Sequence, residues 1–119
     1  MAQHNEFGRK GEQLATAFLS ENGYTILERN YRFQKAEIDI IAIKEGILAI
    51  VEVKSRGHAP VVNPQDAITK RKIQLLTSAA NAYVIANDLD VEVRFDLILI
   101  LKEKGEPHIT HIEHAFYHF

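Results

Sequence analysis

An α/β domain with a mixed sheet, in the order α-β-β-β-α-β-β, follows from three features of the sequence. Two segments carry apolar residues at helical spacing, five runs are rich in Ile, Val and aromatic residues, and the second helical segment falls among those runs rather than after them. A chain of 119 residues with 46% apolar content has the size and composition of one domain. No Gly/Ser/Pro-rich linker divides it and no internal repeat is visible, so residues 1–119 are expected to form one unit.

The first helix is expected over residues 5 to 22, where Phe7, Gly11, Leu14 and Phe18 form a stripe and Asn22-Gly23 provides the stop. Three strands follow, from Tyr24 to Phe33, Glu37 to Lys44 and Ile47 to Lys54. The last two are separated only by Glu45-Gly46, a two-residue hairpin signal. Residues Gly57 to Asn63 read as a loop, and Asn63-Pro64 supplies a cap and a first-turn proline for a second helix running to about Ala86. Asn87-Asp88 ends that helix; Val91 to Leu101 is apolar enough for a strand inside the sheet; and Gly105 to Pro107 turns into a short strand, His108 to Ile112.

Composition narrows the chemistry. The absence of cysteine removes a disulfide scaffold, a cysteine zinc site and thiol catalysis. No apolar run is long enough to span a bilayer, and the N-terminus lacks the pattern of a signal peptide, so a cytoplasmic location is expected. The balance of 14 Lys and Arg against 16 Asp and Glu gives a net charge of −2, so a nucleic-acid partner would be held by local clusters rather than a blanket basic surface.

The hairpin carries charge where a sheet should not. With Glu45-Gly46 as the loop, Lys44 pairs with Ile47, Asp39 lies opposite Glu52 and Glu37 opposite Lys54. Alternation then sends these four side chains to one face, with Ile41, Ile43, Leu48 and Ile50; Ile38, Ile40, Ala42, Ala49, Val51 and Val53 take the other. Two ionised carboxylates about 5 Å apart repel by roughly 3 kcal/mol at an effective dielectric near 20. An ordinary cross-strand pair contributes only about 0.2–1 kcal/mol. A cation is therefore expected between Asp39 and Glu52. Either Lys54 supplies it, in a structural ion network, or a divalent ion does; oxygen-only ligation suits Mg²⁺ or Mn²⁺.

An Asp followed by Glu-Val-Lys on the next strand resembles the active-site pattern of restriction-endonuclease-like nucleases. Alone the pattern is weak, but its surroundings extend the likeness. Gly8-Arg9-Lys10-Gly11-Glu12 with Ala15, Gly23-Tyr24, Glu28-Arg29-Asn30-Tyr31-Arg32, Glu37-Ile38-Asp39-Ile40-Ile41-Ala42 and Val51-Glu52-Val53-Lys54-Ser55-Arg56 all fit one pattern. So do Lys72, Ala79-Ala80 and Arg94-Phe95-Asp96. Together they resemble the YraN family of small bacterial proteins over nearly the whole chain. Ala36, Val62-Asn63 and His114 depart from the family pattern without touching the acidic residues.

The resemblance implies a restriction-endonuclease-like fold, near Holliday-junction resolvases, and metal-dependent hydrolysis of phosphodiesters in DNA, with branched DNA favoured. In that reading Asp39 and Glu52 ligate Mg²⁺ or Mn²⁺ with help from the Val53 carbonyl, and Glu12 completes the site directly or through a water. Lys54 stabilises the transition-state charge or orients the water. A catalyst that resolves a junction symmetrically needs two active sites, so a homodimer is the expected assembly.

Each residue also has a plainer reading. Glu12 lies in line with Ala15 and Leu19 and could be a solvated boundary residue; Lys72 interrupts the apolar stripe of the second helix and is either a snorkelling lysine or a phosphate contact. Arg29, Arg32 and Lys35, interleaved with Tyr31 and Phe33, could hold a nucleic-acid backbone, or the aromatics are core and the cations keep an edge strand soluble. Arg56 is better placed for a phosphate, and Lys70 and Arg71 read as a solvated helix face. Asp96 needs a partner, with Arg94 the economical one; His108, His111, His114 and His118 do not converge on an extended strand, and His111 is given a hydrogen bond within the fold. A non-catalytic nucleic-acid-binding or adaptor protein is the alternative to a nuclease, and a purely structural acid–lysine network is a third reading.

Overall fold

The computed structural model describes residues 2–56, 68–101 and 105–116, with side chains from residue 9 onward. Helix α1 spans Ala2–Glu21, followed by β1 (Thr25–Phe33), β2 (Ala36–Lys44), β3 (Ile47–Arg56), α2 (Lys70–Ala86), β4 (Glu92–Leu101) and β5 (His108–Ile112). The order is the one the sequence implies. The side chain of Phe7, the 57–63 loop, Pro64 and His118 lie outside the described residues.

The five strands lie in the sheet in chain order, β1-β2-β3-β4-β5. Only β3 and β4 run parallel, and they do so over ten consecutive pairs from Ile47↔Glu92 to Arg56↔Leu101. A parallel pair needs a crossover, and α2 lies within the connection that makes it. The two faces bury separate cores. On one, Ile41, Leu48, Ile50, Leu97 and Leu99 pack with Ile73, Leu76, Ala79, Ala80 and Tyr83 of α2. On the other, Ile40, Ala42, Ala49, Val51, Ile98 and Ile100 pack with Ala15 and Leu19 of α1.

The hairpin forms as expected at its turn. Glu45 and Gly46 both have positive φ, 50° and 78°, the geometry of a type I′ turn that matches strand twist. From there the ladder runs Lys44↔Ile47 through Ile40↔Val51.

Three expectations are corrected. The buried stripe of α1 is Gly11, Ala15 and Leu19, while Leu14 is 36% exposed. This four-residue row faces the sheet, and Leu14 falls off it. The expected second helix is not continuous: α2 begins at Lys70, where Thr69 is its N-cap, in extended geometry, and its hydroxyl accepts the Lys72 N–H at 3.1 Å, while the expected Asn63-Pro64 start lies outside the described residues. A threonine inside a helical stretch competes for nearby backbone donors, so it caps rather than continues. Finally, Ile38 joins the α2-side core while Ile40 joins the α1-side core, so alternation breaks at Asp39.

Near the start of β4 a second acidic residue is fully satisfied. Asp96, 0% exposed, accepts from Arg94 Nε and Nη2 at 2.9 and 2.8 Å, lies 2.8 Å from His111 Nε2 and accepts the His114 N–H at 3.3 Å. Arg94 also donates to the Tyr24 hydroxyl. Burial works against ionisation of Asp96, but the hydrogen bonds from His111 and Arg94 outweigh it and hold its carboxyl below the usual range. Burial likewise opposes the Arg94 charge, and the Asp96 and Tyr24 bonds overcome it. The predicted Arg94–Asp96 pairing and the internal role of His111 are both present, and the network ties β4 to β5 and to the chain segment leaving α1.

Asp96→Ala leaves a buried guanidinium without its carboxylate and is expected to cost about 3–5 kcal/mol in urea unfolding. Because the folded pKa of Asp96 is depressed, its contribution is present above about pH 4, the unfolded value, and fades as pH falls below it. Thr69→Ala, removing the cap of α2, is expected to cost about 1 kcal/mol in the same assay.

Candidate metal and phosphate site

Asp39 stands where regular pairing stops on both sides. Toward β1, the ladder passes from Arg29↔Ile40 to Tyr31↔Ile38 and skips Asn30 and Asp39; Asn30 has φ 53°, a left-handed conformation that Asn tolerates. Toward β3, it ends at Ile40↔Val51. Beyond that pair the Asp39 Oδ2 accepts the Val53 N–H at 2.8 Å, so a side-chain carboxylate does what a backbone carbonyl does elsewhere in the sheet. The direct opposition of Asp39 and Glu52 expected from the register is thus replaced by a side-chain bond one residue further along β3. The two carboxylates remain close enough to raise one another's cost.

Glu52 points to the α2 side of the sheet and is 4% exposed. Its Oε2 lies 3.5 Å from Lys54 Nζ and 3.6 Å from Lys72 Nζ, the second reaching across from α2. Both distances exceed those of a well-made charged hydrogen bond, about 2.7–2.9 Å. Its other oxygen, Oε1, is buried with no hydrogen-bond partner. An unsatisfied buried carboxylate oxygen is costly, and no other described side chain leaves such an atom.

Asp39 responds to the same surroundings. Burial, then the Glu52 charge, pushes its carboxyl up to about 7 against the lowering effect of the Val53 N–H; the Glu12 charge and a side-chain hydrogen bond with Glu52, which favours a protonated Asp39, add to the rise. Glu12, half-buried on α1, is also raised, chiefly by burial; a hydrogen bond from Asn30 and the Arg29 charge pull the other way, and Glu37 and Glu52 add to the rise. α1 reaches the sheet here through Gly11, where a Cβ would stand 2.1 Å from the Ser55 hydroxyl oxygen. The close approach of helix to β3 brings the next residue, Glu12, into the field of Asp39 and Glu52.

The residues singled out in the sequence separate into two groups. Glu12, Asp39, Glu52, Lys54 and Lys72 meet at one end of the β2–β3 hairpin, with Arg29 near Glu12. Arg32 and Glu37 instead form an exposed pair at 3.0 Å, and Arg56 is exposed with its guanidinium on the Ser55 carbonyl at 3.0 Å. Tyr31 packs edge-on against Tyr83 at 5.1 Å and Phe33 packs on the core, so these aromatics serve the fold. Sequence reasoning missed Asn30 as the partner of Glu12; its signal was an Asn within a strand, a residue type suited to positive φ.

The donor set fits a hard divalent cation. Asp39 and Glu52 supply oxygen ligands, one oxygen of Glu52 is bare, and the mutual cost of two neighbouring carboxylates is what a cation relieves. Among the described residues no three of His, Cys, Asp and Glu gather tightly enough to make a complete cage. Mg²⁺ suits such a pair, since it keeps several waters and needs only one or two carboxylates.

Residues 11–100 match the uncharacterised protein family UPF0102. The chain belongs to this family. Among its relatives, a UPF0102 protein of Flavobacterium psychrophilum is 58% identical over the full length of both chains. One from Christiangramia forsetii is 51% identical, again over both full lengths, and one from Bacteroides thetaiotaomicron is 46% identical over 98% of this chain and 97% of its own. The matched region of UPF0102 takes in Glu12, Asp39, Glu52, Lys54 and Lys72. Among the described residues no helix is long and apolar enough to cross a membrane.

The acid pair makes stability pH-dependent. Because the folded pKa of Asp39, about 7, lies above its unfolded value of 3.8, the folded state holds the extra proton between these values. Stability from this group is therefore full below about pH 4 and lost as pH rises through 7. Asp39→Asn keeps an acceptor for the Val53 N–H and removes the charge; at pH 8 it is expected to be more stable than wild type by about 1–3 kcal/mol in urea unfolding, with that pH slope abolished.

Proposed function

We propose that this UPF0102 protein is a metal-dependent nuclease that hydrolyses phosphodiester bonds in DNA, with branched DNA the favoured substrate, on a restriction-endonuclease-like fold. The observation that carries the reading is the buried, half-satisfied Glu52 beside Asp39, flanked by two lysines from different elements. A stability-driven sheet would not keep such a cluster, since each feature costs free energy and none improves packing.

Asp39 and Glu52 are the residues that would hold Mg²⁺ or Mn²⁺, with the Val53 backbone beside them. Bound there, the ion supplies Lewis acidity at the phosphate and lowers the pKa of an attacking water. Lys54 and Lys72 offer ammonium groups to the non-bridging phosphate oxygens, where negative charge grows in the transition state. Glu12, held by Asn30, faces the pair from α1 and positions a water at the edge of the site. Arg29 lies beside it, on the rim where a nucleic-acid backbone would enter, and Arg56 and Arg32 extend the exposed basic surface. A homodimer would supply the two sites that symmetric junction cleavage needs.

Purified protein incubated with Mg²⁺ or Mn²⁺ and linear, single-stranded or four-way DNA is expected to cut, with the four-way substrate preferred. Glu52→Ala and Lys54→Ala are each expected to lower the rate at least about a hundredfold while the circular dichroism spectrum is retained. Equal cleavage by wild type and both variants overturns the assignment. DNA binding with neither metal binding nor cleavage identifies a nucleic-acid-binding adaptor instead.

A further inference from the structure

We infer that Lys54 and Lys72 are resident counter-cations of the acid pair, displaced from Glu52 when a divalent ion binds and thereby released to take a phosphodiester. This rests on the metal site proposed above and adds to it a regulation: ion and nucleic acid are coupled through an exchange of partners on one carboxylate.

The geometry points to exchange rather than a permanent ion pair. Both ammonium groups converge on the same oxygen, Glu52 Oε2, at 3.5 and 3.6 Å, while Oε1 is left bare. Two like charges sharing one oxygen at loose distances satisfy that oxygen poorly, and they leave the repulsion between Glu52 and Asp39 only partly relieved. A divalent ion between the carboxylates would relieve it better, and its charge would repel both ammonium groups. Each lysine can leave. Their side chains are 28% and 38% exposed, and a four-carbon stem lets the head swing to solvent without moving β3 or α2. The helix start is independently secured by the Thr69 cap, so Lys72 is not needed to hold α2 in place.

Two consequences follow. In the metal-free protein the lysines spend their charge on Glu52 and contribute little to a bound phosphate; with metal bound the same charges face outward. Ion and phosphodiester therefore strengthen each other's binding, and by linkage the effect is reciprocal.

The experiment compares the full chain with Lys72→Gln and with Lys70→Gln, which removes the same charge from an exposed position one residue into α2. Mn²⁺ alone is titrated calorimetrically. Lys72→Gln is expected to bind Mn²⁺ several-fold more tightly than both wild type and Lys70→Gln, because a competitor for Glu52 is gone; affinity equal to or weaker than that of Lys70→Gln overturns the inference. Wild type that binds no Mn²⁺ overturns the metal site itself, a distinct failure. In a second measurement, binding of a short DNA duplex is followed with and without Ca²⁺. Without the ion Lys72→Gln should lose no more affinity than Lys70→Gln, the effect of one positive charge removed; with it the loss should be several-fold larger, and Lys54→Gln should repeat the pattern. A loss of the same size in both conditions means the lysine contacts DNA regardless of metal and overturns the exchange.

Discussion

A single hydrogen bond marks the point at which regular pairing in this sheet gives way to a cluster of charge. The Asp39 carboxylate accepts the Val53 N–H where β2 and β3 cease to pair, and the opposite side of β2 skips Asn30 at the same level. Regular pairing would bury every polar backbone group and leave nothing for a ligand. Interrupting it on both sides of one residue places a carboxylate inside the sheet with its second oxygen uncommitted to that bond. Glu52 then stands beside it, and the helices bring Glu12 from one face and Lys72 from the other.

The molecule contains a control for this interpretation. Asp96 is more deeply buried than Asp39, yet it has Arg94, His111 and the His114 backbone as partners, and its carboxyl is held below the usual range. Asp39 instead has the Val53 N–H as its donor and a second carboxylate, Glu52, beside it, and it is pushed up. Both clusters come from the same three-dimensional economy of a small domain, in which buried charge is expensive unless paired. One is paired to completion and binds elements together. The other is paired loosely, with two lysines at 3.5 and 3.6 Å from one oxygen of Glu52.

Much of this was legible along the chain, for identifiable reasons. A two-residue loop sets a hairpin's register, so Glu45-Gly46 alone places Asp39 and Glu52 near each other. Lys72 stands out in the sequence because it breaks an apolar stripe, and its ammonium reaches Glu52. What escaped was local and cooperative. The switch of face between Ile38 and Ile40 coincides with positive φ at Asn30 on the neighbouring strand. The start of α2 at Lys70, behind its Thr69 cap, falls within a stretch whose hydrophobic periodicity reads as continuous helix. The burial of Ala15 in place of Leu14 reflects close packing of α1 on β3 at Gly11, where small residues are favoured over large ones.

By itself, then, the sequence determined the element order, the hairpin register near its turn and the identity of the charged residues that a sheet could not bury for stability. These depend on local periodicity, turn chemistry and the desolvation cost of charge, all of which act over short stretches of chain. Tertiary structure decided which of those charges meet. Lys72 and Glu52 are 20 residues apart and join only because α2 crosses the sheet; Asp96 and Asp39 look alike in sequence and differ because Arg94 and His111 reach one and not the other. Whether a buried carboxylate holds the fold together or waits for a ligand is set by its long-range partners, and no local pattern encodes them.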